Sequence, residues 1–212
     1  EVSDDILTLT DDQYADIPAS LLGDWPGTQD FEFSVEIKAA SGSNIAANSE
    51  LGEAGHGSLM QRSIREGVGK GHGPMMFLWN NGKIQVRITG KERLEIANAV
   101  DSWDEWVKLK FVLNATATPK TLKIFVNDVE KGSHNLTNWQ YYLDIADTFR
   151  DAPMRLGGHY ENGVWQSLNA QIRNIYISGV SSTGYVLRGT PTEAGEHPIV
   201  LTATDSEGNA TT

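Results

Sequence analysis

Cysteine is absent from the 212-residue chain. That excludes a disulfide framework, a thiol nucleophile and a thiolate metal site. No run of about 18 apolar residues occurs, so membrane insertion is not expected. Basic residues are few: 17 Lys and Arg stand against 28 Asp and Glu, a formal charge of −11. Such a chain repels polyphosphate, which argues against nucleic acid as a partner. The same charge suits calcium, which takes hard oxygen ligands. Glu1-Val2-Ser3-Asp4-Asp5 has neither a basic nor an apolar region, so no signal peptide is expected there. Sustained helical periodicity is also missing. Pro18–Leu22 reads as one turn and Trp139–Phe149 as one or two.

Strand signals dominate what remains. Phe31-Glu32-Phe33-Ser34-Val35-Glu36-Ile37-Lys38 alternates apolar and polar with period two, the pattern of a half-buried strand. The same period recurs in Lys83–Thr89, Val107–Leu113, Thr121–Val126 and Gln171–Ile177. Asn81-Gly82 predicts a hairpin between Met75–Trp79 and Lys83–Thr89, and Asn127-Asp128 predicts a turn after Val126. With 39% apolar residues and 18 aromatic ones, the chain has a sizeable core to bury. Many short strands with regular turn signals predict an all-β sandwich. Gly42–Gly73 holds eight of the 21 glycines and reads as loop apart from Ser58–Arg62. Loops of that length are functional or mobile. Ser178–Gly184 reads as a linker, followed by strand patterns at Tyr185–Arg188 and Glu196–Thr204.

Several motifs in order resemble one superfamily. Asp12–Pro18, Asp30–Ile37, Trp106–Val112, Leu122–Asp128, and Met154–Gly158 followed by Ala170–Ile177 resemble laminin-G-like domains of the concanavalin A-like lectin/glucanase superfamily. The resemblance covers residues 6–178 and implies a two-sheet antiparallel jelly roll with Trp106 in its core. Gly189–Gly195 and Ile199–Asn209 resemble the last strands of bacterial immunoglobulin-like repeats. The expected organisation is a jelly roll over 1–178, a linker over 179–184 and a short immunoglobulin-like β segment over 185–212. That implies a larger secreted or cell-surface parent, with neighbouring domains of the same chain as partners.

The superfamily hosts enzymes and lectins alike, so the site decides. Its glucanases use Glu-x-Asp-x-x-Glu, which is absent. Its lyases use a Gln-Ile-His strand, where this chain has Gln171-Ile172-Arg173. No Gly-x-Ser-x-Gly elbow and no His-Glu-x-x-His pair occurs. Glu32 and Glu36 read as a solvated sheet face. The expectation is therefore a non-catalytic module for a glycan or polysaccharide. The alternatives are a polysaccharide lyase or hydrolase with a divergent site, and a spacer or protein-binding module.

Sugars need an aromatic plate plus amides and carboxylates for their hydroxyls. Tyr160, Glu161, Asn162, Trp165 and Gln166 supply these within one loop. The alternative there is a plain turn with Trp165 capping the core. The corresponding pentraxin loop carries calcium ligands, which implies Glu161 and Asn162 as metal ligands here. Arg65 and His72, with Arg62 and Lys70, make the Gly-rich stretch locally basic and suited to an anionic sugar. Asp11, Asp12 and Asp16 are further candidates for a structural calcium.

Overall fold

The structure, a computed structural model, describes residues 6–10, 13–22, 29–40, 44–46, 56–62, 73–88, 92–140, 152–158, 160–161, 164–178, 185–187, 203–204 and 210–211. Of 160–161, 164–165, 185–187, 203–204 and 210–211 it describes the backbone alone. In chain order the elements are β1 (Leu7–Leu9), β2 (Ala15–Ile17), α1 (Ala19–Leu22), β3 (Phe31–Ala39), β4 (His56–Arg62), β5 (Met75–Trp79) and β6 (Ile84–Arg87). They continue with β7 (Arg93–Ile96), β8 (Val107–Asn114), β9 (Thr121–Val126), β10 (Val129–Asn135), β11 (Met154–Leu156) and β12 (Tyr160–Glu161). The last are β13 (Val164–Trp165), β14 (Ala170–Ile177), β15 (Tyr185–Leu187), β16 (Ala203–Thr204) and β17 (Ala210–Thr211).

Among the described residues two large antiparallel sheets form. One runs β1-β14-β3-β8-β9-β10, with β15 also on β14; the other runs β2-β11-β4-β5-β6-β7. This is the expected all-β jelly-roll sandwich. The period-two segments fall where the alternation puts them. Strand β9 keeps the bounds Thr121–Val126, and β8 alternates buried and half-buried from end to end. Their inward side chains pack into the core, with Phe111 edge-on to Phe31 of the neighbouring strand β3 at 5.4 Å between centroids. Asn127 and Asp128 both take positive φ, the requirement of a two-residue hairpin turn. At Asn81-Gly82 only Gly82 does, and the connection is three residues long, with Gly82 N donating to Trp79 O and Trp79 N donating to Lys83 O.

Two expectations change. Trp106 is not core: Val107, Leu109 and Phe111 point inward, so Trp106 faces outward, where the Arg173 guanidinium lies 4.1 Å over its ring. The core indole on this stretch is Trp103, whose Nε1 donates to the Trp79 carbonyl at 2.9 Å. Arg62 is not a loop cation either: it closes β4, is fully buried, and donates through Nε to the Ala152 carbonyl. Strand β15 pairs with β14, Tyr185 opposite Ile177, so Tyr185–Leu187 joins the larger sheet. Strands β16 and β17 pair with each other.

Candidate functional site

Strands β8 and β9 bury one face, but β4 and β5 bury both. On β5 the inward residues Met76 and Leu78 belong to the main core, whereas Met75, Phe77 and Trp79 form a second apolar cluster on the outer face of the six-stranded sheet. Register lines up what surrounds it. One row across the outer face is Asp16, Arg155, Gln61, Met75, Arg87 and Arg93. The next is Ser58, Phe77, Gln85 and Glu95, and His56 lies opposite Trp79. A sheet face in contact only with water would be polar throughout. This one has an aromatic floor, with amides and cations at its borders.

The cations lie on the rings. Lys83 Nζ is 3.8 Å from the Trp79 ring centroid, and Arg87 Cζ is 5.1 Å from that of Phe77. The His56 ring packs on Trp79 at 5.1 Å and edge-on to Phe77 at 5.7 Å. Arg87 Nε donates to Gln85 Oε1, and Gln85 Nε2 donates to Glu95 Oε2, which fixes the row. Arg93 is exposed and has no ion-pair partner among the described residues. Arg155 is held by Asp16, Nε to Oδ1 at 3.0 Å and Nη2 to Oδ2 at 3.1 Å, and stacks on Tyr14. Four basic side chains, Lys83, Arg87, Arg93 and Arg155, thus face two acidic ones, Asp16 and Glu95. In a chain of charge −11 this is a locally positive face.

Three polar atoms of this face have no hydrogen-bond partner among the described residues: Ser58 Oγ, Gln61 Oε1 and Trp79 Nε1. All three are buried.

Of the loop candidates Tyr160, Glu161, Asn162, Trp165 and Gln166, Gln166 alone has a described side chain. Strand β11 stops at Leu156, and beyond it the Gln166 carbonyl accepts from Ser58 N at 3.1 Å, anchoring the β12–β13 hairpin beside β4. Tyr160 pairs with Trp165 and Glu161 with Val164 across that hairpin. The side chains of Tyr160, Glu161 and Trp165, and the whole of Asn162, lie outside the described residues. Gln166 is 2% exposed, so its side chain stands in the frame of the hairpin and not on an open rim. Arg65 and His72 also lie outside the described residues, on the connection that leaves β4 after Arg62 and reaches β5 at Met75. The sequence reading missed the sheet face itself. Its available signal was the unalternating run Met75-Met76-Phe77-Leu78-Trp79, followed by Lys83, Gln85 and Arg87 on one parity.

The hairpin anchor depends on Gly57. A Cβ there would sit 2.6 Å from Ser167 O and 2.9 Å from Leu168 Cδ1. Gly57→Ala is expected to cost about 1–3 kcal/mol of stability, the usual cost of overpacking. Thermal melts of the variant check this, and an unchanged melting temperature would refute it.

Other chemistry fits less well. Both Asp16 oxygens accept from Arg155, so a calcium there would have to displace a guanidinium. Among the described residues no three of His, Asp or Glu converge as a metal site. Glu36 accepts from Arg173 Nε at 2.7 Å on the outer face of the other sheet, which makes both parts of that surface's ion pairing.

No protein-family model matches the chain, and no curated protein matches it. Solved structures do. A mutant of the NanB sialidase from Streptococcus pneumoniae is 19% identical with a TM-score of 0.59, over 83% of this chain and 26% of that one. The leech intramolecular trans-sialidase is 15% identical with a TM-score of 0.58, over 84% and 26%. The CBM40 module of a Ruminococcus gnavus sialidase, bound to α2,3-sialyllactose, is 15% identical with a TM-score of 0.47, over 68% and 75%. The first two likenesses bear on the fold alone, a two-sheet jelly roll. The chain spans about a quarter, 26%, of the two full-length sialidases.

Proposed function

We propose that this chain is a non-catalytic carbohydrate-binding module that holds an anionic sugar on the outer face of its six-stranded sheet. One observation carries the reading: among the described residues, Lys83 and Arg87 lie over a buried aromatic floor on a sheet face whose basic side chains outnumber its acidic ones. Arginine meets a carboxylate with paired N–H donors, and aromatic rings meet the C–H face of a pyranose. The hairpin bearing Tyr160, Glu161, Asn162 and Trp165 would close one end of the face. Arg65 and His72, on the connection between β4 and β5, belong to the same reading. Calcium on Glu161 and Asn162 belongs to the same reading. So does a secreted or cell-surface parent, an adhesin or a polysaccharide-degrading protein, with the laminin-G-like jelly roll followed by an immunoglobulin-like repeat. Among the described residues no helix is long and apolar enough to cross a membrane.

The structural neighbours are sialidases, so sialylated glycans set the first probe. Isothermal titration with α2,3-sialyllactose, lactose and an oligogalacturonate, with calcium and with chelator, tests the reading. Binding of an acidic sugar and none of lactose is expected. Arg93→Ala should weaken it about tenfold or more, the worth of one charge-assisted hydrogen bond. Blank titrations for all three sugars in both conditions would sink the reading.

A further inference from the structure

We infer that Ser58, Gln61 and Trp79 form an uncharged half of this face that reads the sugar's hydroxyl groups, and that ligand reaches them when Lys83 and Arg87 move from the aromatic rings to its carboxylate. The inference rests on the binding reading above and adds to it which groups of the ligand are recognised. Buried polar atoms are nearly always hydrogen-bonded, so three unmet ones on a single face need an explanation. Ser58 Oγ, Gln61 Oε1 and Trp79 Nε1 are unmet among the described residues, at residue exposures of 1%, 6% and 3%.

Their placement depends on an irregularity. Positions 58 and 61 differ by an odd number, so an ideal strand would put them on opposite faces. Strand β4 has a register shift between Ser58 and Met60, and it brings Ser58 opposite Phe77 and Gln61 opposite Met75. The extra residue re-aims both side chains to the outer face, and bulges recur beside binding sites for this reason. The three atoms are complementary in kind: a hydroxyl that donates and accepts, an amide oxygen that accepts, and an indole N–H that donates. Adjacent sugar hydroxyls offer the matching set. Met75 and Phe77 between them offer apolar surface to ring carbons.

Access is through the cations. Lys83 and Arg87 are long, part-exposed side chains, held over Trp79 and Phe77 by ring attraction together with the Lys83–Glu95 ion pair at 3.6 Å and the Arg87–Gln85 hydrogen bond, all of them contacts that an incoming carboxylate can replace. A carboxylate attracts both more strongly than a ring face does. Their transfer to the ligand uncovers the floor.

The test separates stability from affinity. Ser58→Ala and Gln61→Met remove Ser58 Oγ and Gln61 Oε1, which have no hydrogen-bond partner among the described residues, so melting temperatures should hold or rise. Affinity for α2,3-sialyllactose should nonetheless fall about tenfold for each variant. If both variants bind as the parent does while Arg93→Ala loses binding, the hydroxyl-reading role is wrong and the binding reading stands. If melting temperature and affinity fall together, these atoms serve the fold and the inference is also wrong. If the parent chain binds no acidic sugar, the binding reading itself has failed.

Discussion

Glu92→Ala is expected to lower the melting temperature by roughly 10 °C, from about 3–5 kcal/mol for breaking a buried ionic network at about 2–4 °C per kcal/mol in a chain of this size. The Glu92 side chain is 1% exposed. Its Oε1 accepts from Thr137 N at 2.7 Å, from Thr137 Oγ1 at 3.2 Å and from Asn138 N, and its Oε2 meets His134 Nε2 at 2.8 Å. Glu92 precedes β7 at the rim of one sheet, and its partners end β10 at the rim of the other. The carboxylate therefore ties the two sheets along one side of the sandwich. Alanine would leave two backbone N–H groups unmet there.

The same group sets a pH response. Burial alone would raise the Glu92 pKa, but hydrogen bonds from His134, Asn138 and Thr137 outweigh it and hold the carboxyl below its ordinary value. A carboxyl lowered in the folded state contributes stability above its unfolded pKa and loses it as pH falls through the folded one. Thermal melts across the acidic range should show this loss in the parent chain and a flatter profile in Glu92→Gln. Parent-like stability of Glu92→Ala at neutral pH would refute the network's importance.

Gly82→Ala is expected to cost about 4 kcal/mol or more, the range of severe backbone misfits. Gly82 has φ of +78°, and a Cβ there would lie 1.8 Å from Val100 O. The Gly82 carbonyl also accepts from Ala99 N and Val100 N, so neither segment can withdraw without breaking bonds. The turn sets Lys83 over Trp79, and the 99–103 segment sets Trp103 against the Trp79 carbonyl. The variant should therefore lose folded yield and, where folded, ligand binding. Asn81→Ala, at a position of ordinary φ, is the control and should melt within a few degrees of the parent. Equal melting temperatures for the two variants would overturn the argument.

Period-two strands were legible because one-sided burial writes itself into alternation, as in β3, β8 and β9. Strand β10 was not. Val129–Asn135 has almost no apolar residue and forms because the Asn127-Asp128 turn folds it back onto β9. Parity with Val107 places Trp106 outward, whereas the family strand it resembles implies the core. The candidate face was illegible for a different reason. Its residues come from six strands, and which of them share a row depends on register and on the β4 bulge, which local sequence does not announce. What could be read locally was the hairpin after Gly158, and its anchor on Ser58 sets it at the border of the face.

Strands β1 and β15 lie end to end on the same side of β14: Leu7 pairs with Ile172 and Leu187 with Ile175. Both run antiparallel to β14, so Leu187 leads toward Leu7. At about 3.3 Å per residue, Leu7 and Leu187 are at most roughly 10 Å apart along β14. Two segments far apart in sequence thus hang on one strand, and tension applied to either would be borne by β14.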